Sequence, residues 1–111
     1  MYQVFMKVYG AFHPTDLSVD KALSSLQPQI VGDSPWFYRT NDMINISYEG
    51  IWFPVEDALD LLTQTLSPES IGKLDVLDLD AWTLTRHQWQ DGQFQSSPAR
   101  DLNSVLDYSG H

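Results

Sequence analysis

Apolar and polar positions alternate at the start of the chain, in residues 2–9 (YQVFMKVY). Val4, Met6 and Val8 fall on one side of an extended segment, and polar or aromatic residues fall on the other. A period of two residues is typical of a β-strand with one buried face. We therefore predict a first strand over residues 2–9, ended by Gly10.

The spacing then changes to that of an amphipathic helix. Four apolar residues recur at positions i, i+3, i+4 and i+7: Val19, Ala22, Leu23 and Leu26. Such a stripe covers one side of an α-helix. We predict that Thr15 is the N-cap of this helix and that it ends near Leu26, because Pro28 cannot continue it.

A hairpin and a second helix follow. Residues 36–49 contain two extended segments around turn residues at positions 40–42, which predicts a β-hairpin. Pro54 is predicted to lie in the first turn of the second helix, where its missing N–H costs nothing. The buried stripe of this helix consists of Val55, Ala58, Leu59, Leu62 and Leu66.

The C-terminal third predicts a second hairpin. We expect a strand over residues 79–90, a two-residue turn at Asp91-Gly92 and a returning strand over residues 93–97. A short helix is predicted to begin at Ser97-Pro98. Its apolar residues are Leu102, Val105 and Leu106.

The predicted order of elements is β-α-β-β-α-β, with an extra C-terminal hairpin strand and a short helix. This is the order of a ferredoxin-like α+β sandwich. Two helices would cover one face of an antiparallel sheet and leave the other face open. We expect residues 1–111 to form a single domain. The alternative is another α+β sheet with the same elements in a different strand order.

Residues 74–82 (LDVLDLDAW) break the alternation. Leu77, Leu79 and Ala81 are apolar at odd positions, whereas Trp82 and Leu84 are apolar at even positions. A regular strand cannot keep one dry face through such a change, so we predict either a β-bulge near Asp80 or burial of both faces there. In this interpretation Asp78 and Asp80 face water at the rim of the sheet, and Trp82 begins the covered part of the strand.

Composition narrows the class of protein. The chain of 111 residues is 42% apolar and contains 4 Trp, 5 Tyr and 5 Phe, which suffices for one packed core. It contains no cysteine, which excludes disulfides and thiolate chemistry and fits a reducing compartment. The N-terminus does not resemble a signal peptide, and no apolar run approaches the length of a membrane span. We therefore expect a cytoplasmic protein.

The net charge is −9, from 15 acidic and 6 basic residues. This charge disfavours direct binding to nucleic acids and to anionic membranes. The imbalance is concentrated between Glu49 and Asp80, where eight acids accompany one base, Lys73. Such a stretch is either a solvated face or a patch that attracts a basic partner protein.

No motif in the sequence predicts a catalytic residue, a metal or a cofactor. Counted from Asp75, the acidic stretch lacks the glycine and the glutamate of a calcium loop. His13, His87 and His111 lack the spacing of a zinc site, and there is no nucleophile elbow or phosphate loop. Two weaker alternatives remain: a cation held by two carboxylates of that stretch, and a site of two histidines with an aspartate.

Our first hypothesis is a non-enzymatic protein-binding module. It either self-associates as a homodimer through an open aromatic sheet face or docks a basic partner, as inhibitor-type or immunity-type proteins do. Aromatic residues dominate the anchors of interfaces, and charge mainly steers association. The predicted anchors are Trp36, Tyr38 and Trp52. The predicted electrostatic surface comprises Glu56, Asp57, Asp60, Asp75, Asp78 and Asp80.

The second hypothesis is a small-ligand-binding or minor enzymatic domain with its site on the open sheet face. Arginine side chains bind carboxylates or phosphates where they converge. The residues predicted to line this site are Tyr38, Arg39, Arg86 and His87. A flat patch of exposed rings would favour the first hypothesis, and a pocket with converging polar groups would favour the second.

Overall fold

Seven β-strands and two α-helices make up the part of the protein that the computed structural model describes, residues 4–32 and 34–103. In chain order the strands span Met6–His13 (β1), Phe37–Thr40 (β2), Met43–Gly50 (β3), Ile71–Asp78 (β4), Thr83–Gln90 (β5), Gln93–Ser96 (β6) and Arg100–Asp101 (β7). The helices span Leu17–Ser24 (α1) and Val55–Thr65 (α2), and a short 3₁₀ helix spans Gln27–Gln29. Neither α-helix of this part is long and apolar enough to cross a membrane.

The strands form one antiparallel sheet in the order β2-β3-β1-β4-β5-β6, and β7 pairs with the start of β5. In the middle of the sheet, Val8 of β1 is opposite both Tyr48 of β3 and Val76 of β4. The predicted α+β class is confirmed. The strand order differs from that of a ferredoxin-like sandwich, because β5, β6 and β7 continue the sheet beyond β4.

Helices α1 and α2 pack on one face of this sheet. The even-numbered residues of the central strands point to the helices and are buried: Val8, Phe12, Ile44, Ile46, Tyr48, Leu74 and Val76. The helices add Val19, Leu23, Ala58 and Leu62 to the same core. Gly72 also lies on this face, and a Cβ there would be 2.5 Å from Cδ1 of Phe12. The odd-numbered residues of these strands form the open face.

Both predicted helices form. The carboxylate of Asp16 accepts a hydrogen bond from the backbone N–H of Ser18 at 2.9 Å, so Asp16, and not the predicted Thr15, is the N-cap of α1. The Ser18 hydroxyl also donates to this carboxylate and lowers its pKa. Helix α2 begins one residue after Pro54, with two acidic residues in its first turn, where the helix dipole favours them.

The two predicted hairpins also form, as β2–β3 and β5–β6. Asp91 and Gly92 have φ values of 56° and 80°, the left-handed pair that a two-residue hairpin turn needs. Trp89 and Phe94 are cross-strand partners beside this turn, and their ring centroids are 4.9 Å apart. The ring centroid of Phe94 also lies 6.0 Å from that of Phe12 in β1, which joins β6 to the core.

The break in alternation at residues 74–82 is a hairpin turn, so the predicted bulge and the predicted strand from Leu79 are wrong. Residues 79–82 join β4 to β5, and β4 is absent from the sequence prediction. Trp82 has a φ of 60° and is 41% exposed, so it does not begin a buried section of strand. A left-handed backbone is unusual for a bulky residue, and here it helps to reverse the chain before Thr83.

Asp78 stabilises this turn. Its Oδ1 accepts hydrogen bonds from the backbone N–H groups of Asp80 at 3.0 Å and Ala81 at 2.9 Å. Aspartate commonly bonds the backbone in this way within turns. Asp80 is exposed, as predicted, whereas Asp78 is half-buried.

The predicted C-terminal helix lies partly outside the described residues. The helix was expected to begin at Ser97-Pro98. Instead, Arg100–Asp101 form β7, and Leu102 after it is buried. Val105 and Leu106 lie outside the described residues.

Candidate functional site

The predicted anchor Trp36 is a core residue. It is 2% exposed, and its ring centroid lies 5.3 Å from that of Phe53. Its indole N–H donates to the side-chain oxygen of Gln27 at 2.9 Å. Because β2 begins only at Phe37, strand alternation does not apply to Trp36. Tyr38 lies on the open face and is 58% exposed, so these two predicted anchors do not share a surface.

Trp52, by contrast, is exposed, together with Phe5 and Ile51 at the same end of the sheet. Phe5, Ile51 and Trp52 are 39%, 51% and 50% exposed. Single exposed apolar residues are ordinary on protein surfaces, whereas a group of them often marks an interaction site. This end of the sheet is therefore the first place to look for a functional surface.

Backbone hydrogen bonds hold this end together. Phe5 precedes β1, and its N–H donates to the carbonyl of Gly50 at 2.9 Å, directly before Ile51. The carbonyl of Phe5 accepts from the N–H of Leu79 at 2.8 Å, in the β4–β5 turn. The start of β1, the end of β3 and the β4–β5 turn therefore meet at one end of the sheet.

Carboxylates surround these apolar side chains. Two hollows of about 490 and 420 Å³ lie here and share Met6 and Asp78. The first lies between Trp52 and the first turn of α2, and the second lies beside Phe5 and Ile51. Among the described residues, no Lys, Arg or His lines either hollow. We name this surface the aromatic end; it consists of Phe5, Ile51, Trp52, Glu56, Asp57, Asp78 and Asp80.

The other two predicted acids lie outside the aromatic end. Asp60 is exposed on α2 but lines neither hollow. Asp75 lies on the open face, and its two carboxylate oxygens accept from Nε and Nη2 of Arg86 at 2.7 and 2.9 Å. This bonding raises the pKa of Arg86. Asp75 is thus already paired within the protein.

The four residues predicted to line a ligand site do not meet. Tyr38 and Arg86 point to the open face, but they lie on β2 and β5, four strand spacings apart, which is roughly 19 Å. Arg39 and His87 lie on the helix-covered face, on the same two strands. These side chains therefore surround no common pocket.

Arg39 joins β2 to the start of α1. Its Nε donates to Oδ1 of Asp20 at 3.1 Å, and its terminal nitrogens donate to the carbonyls of Thr15 at 3.1 Å and Asp16 at 2.8 Å. The hydrogen bonds to Asp20 raise the pKa of Arg39. All these partners belong to the fold, which gives Arg39 a structural role.

His87 connects β5 to β6. Its Nδ1 lies 2.6 Å from Oγ of Ser96. Burial lowers the pKa of His87, which favours the neutral ring. A neutral, hydrogen-bonded histidine between two strands fits a structural role better than that of an anion ligand.

The structure describes no metal site. Within residues 4–32 and 34–103, no group of three or more His, Asp or Glu side chains could hold a metal ion. Asp78 is engaged in the β4–β5 turn, and His13 and His87 lie on opposite faces of the sheet.

Sequence reasoning missed Phe5 and Ile51 as site residues. The predicted strand over residues 2–9 included Phe5 within the sheet, whereas β1 begins at Met6. A signal was available in the apolar run Ile51-Trp52-Phe53, because a short link between a strand and a helix cannot bury adjacent side chains that point apart.

Comparison with protein-family models, curated proteins and solved structures finds no match for this chain.

Proposed function

We propose that this protein is a non-enzymatic protein-binding module whose aromatic end docks a basic segment of a partner protein. One observation carries the proposal. Three exposed apolar side chains lie beside four carboxylates, and within the described residues no basic side chain lines the hollows between them.

The apolar and the acidic side chains of the aromatic end contribute to binding in different ways. Covering Phe5, Ile51 and Trp52 removes apolar surface from water, which favours the complex by about 25 cal/mol per Å². The carboxylates attract a basic partner, raise its association rate and disfavour acidic competitors. The net charge of −9 acts in the same direction.

A basic partner suits this surface better than a second copy of the chain. In a symmetric dimer, two aromatic ends would bring their carboxylates together, and like charges at a contact are unfavourable. Self-association through the open sheet face stays a prediction. Of its predicted anchors, Tyr38 is exposed on that face, whereas Trp36 is in the core.

We also propose that β1 to β4, with α1 and α2, are a ferredoxin-like unit to which three strands are added. The element order and the position of both helices on one sheet face support this. The absence of cysteine supports a cytoplasmic location. A crystal structure with the helices on opposite faces, or recovery of the protein outside the cytoplasm, would contradict these two statements.

The docking proposal is tested by titrating a synthetic peptide of repeated Lys-Leu pairs into isotope-labelled protein. Amide NMR shifts are followed at each addition. We expect saturable changes at residues 50–57 and 78–82, because these segments carry the aromatic end. The same peptide with Glu in place of Lys is the control and should give no saturable change. Shifts centred on α1, or spread evenly over all exposed acids, would contradict the proposal.

The role of charge is tested separately. Replacing Glu56 by Gln and Asp57 by Asn should slow association of the Lys-Leu peptide and flatten its salt dependence. The matched control replaces Asp42 by Asn and Glu69 by Gln, which removes two exposed acids outside the aromatic end. Equal association rates for the two double variants would show that charge at the aromatic end does not steer binding.

A further inference from the structure

The open face of the sheet carries a second hollow, outside the aromatic end. Ala11 of β1 contributes to its lining and is opposite Asn45 of β3 and Lys73 of β4, and Lys73 is in turn opposite Gln88 of β5. Because alanine is the smallest side chain in this row, it leaves a depression of about 500 Å³. The lining includes Ala11, His13, Met43, Ile71, Lys73 and Gln88.

The charge of this hollow is opposite to that of the aromatic end. Its lining includes Lys73, and no Asp or Glu of the described residues contributes to it. Two other cations of this face are paired, Lys7 with Glu49 at 3.7 Å and Arg86 with Asp75 at 2.7 Å. Lys73 forms no salt bridge with any residue in the described part of the chain.

Lys73 lacks a salt bridge within the described residues, although the protein contains 15 acidic residues. The nearest carboxylate along β4 is that of Asp75, and both of its oxygens accept from Arg86. Within the described residues, no carboxylate pairs with the ammonium of Lys73, which leaves it open to an anionic ligand. The amide groups of Gln88 and Gln90 lie beside it and add N–H donors.

His13 also lines the hollow, and another part of the lining is apolar. Ala11, Met43 and Ile71 form this part, and Ile71 is 52% exposed. The volume falls within the range of roughly 300–1,000 Å³ that is usual for small-molecule sites. A ligand that fits would carry one anionic group for Lys73 and a compact apolar body for the floor.

We propose that this hollow binds a small organic carboxylate, with its carboxylate on Lys73 and its apolar body on Ala11, Met43 and Ile71. The site is independent of the docking function of the aromatic end. It consists of other residues, and its ligand is anionic, whereas the partner of the aromatic end is basic.

Benzoate is the probe, because it combines one carboxylate with one small apolar ring. Benzamide and benzylamine are the neutral and cationic counterparts of similar shape. Each is titrated into the full-length protein, and amide NMR shifts are recorded. We expect saturable shifts with benzoate at residues 11–13, 71–73 and 88–90, and about tenfold weaker binding of benzamide, since a charge-assisted hydrogen bond is lost. Benzylamine should not bind at these residues.

Two variants locate the site. Lys73→Met keeps the aliphatic stem and removes the charge, so it should weaken benzoate binding about tenfold. Ala11→Leu fills the depression and should abolish saturable binding. Lys21→Met, on α1, removes an exposed lysine elsewhere and should change nothing. Lys73 is exposed on the surface, so Lys73→Met tests the proposal even if Ala11→Leu does not fold.

The proposal is overturned if benzoate and benzamide bind equally, if Lys73→Met binds benzoate as the native protein does, or if the shifts map to other residues. It is also overturned if sedimentation shows a dimer that covers this face and excludes benzoate. Trp52→Ala should leave benzoate binding unchanged, so failure of the docking proposal and failure of this one are distinguishable.

Discussion

Trp52 and Phe53 are neighbours in the chain, yet they lie in opposite environments. Phe53 is 1% exposed, and its ring centroid is 5.3 Å from that of Trp36 and 5.1 Å from that of Tyr48. Trp52 is 50% exposed and lies beside the carboxylates of the aromatic end. A large apolar side chain stabilises a fold only to the extent that it leaves water. Phe53 therefore stabilises the fold, while Trp52 remains available to another surface.

Truncation of these two residues should separate the two roles. Phe53→Ala leaves a cavity in the core and should lower the free energy of unfolding by about 3–5 kcal/mol. Trp52→Ala should change it by only about 0.5 kcal/mol, as is usual for surface substitutions. Urea denaturation of both variants checks this difference. Equal losses would mean that Trp52 is a core residue and would remove the basis of the comparison.

The two paired arginines extend the comparison to polar residues. Arg39→Met should cost about 1–3 kcal/mol of unfolding free energy, because it leaves a carboxylate and three backbone carbonyls without their charged donor. Arg86→Met should lower the free energy of unfolding by no more than about 1 kcal/mol, as is usual for exposed ion pairs. The side chain of Arg39 is 21% exposed and that of Arg86 is 46% exposed. Denaturant midpoints in the reverse order would contradict the structural role of Arg39.

Substitution of His87 should have the smallest effect on stability. Burial lowers its pKa below the ordinary value of 6.5, so the unfolded chain binds this proton more readily than the folded protein does. Its contribution to stability is therefore complete above about pH 6.5 and declines as the pH falls from that value towards the folded pKa. His87→Gln should reduce the loss of stability between neutral and mildly acidic pH. Identical pH profiles of native protein and variant would show that His87 does not contribute.

Much of the fold could be predicted because local patterns determined it. The helical stripes of α1 and α2 and the Asp91-Gly92 turn each have a local physical cause, and all three occur in the structure. Strand β4 could not be predicted in the same way. The change of parity near Trp82 fits a bulge, a buried strand or a turn, and only the pairing of β4 with β1 and β5 distinguishes them.

The candidate site was less accessible to sequence reasoning. The carboxylates Glu56, Asp57, Asp78 and Asp80 were identified, since charge is visible in composition. Which aromatic residues are exposed depends on tertiary contacts. Trp36 precedes its strand by one residue and turns into the core, and Phe5 reaches the site only because β1 pairs with both β3 and β4.

Calorimetric titration of the Lys-Leu peptide into Trp52→Ala tests the central claim most directly. If Trp52 anchors a basic partner at the aromatic end, this variant should bind at least about tenfold more weakly than the native protein, as expected for a residue that dominates an interface. Tyr38→Ala is the matched control, because Tyr38 is 58% exposed on the open face and lies outside the aromatic end. It should bind as the native protein does. Native affinity in Trp52→Ala, or an equal loss in both variants, would contradict the claim.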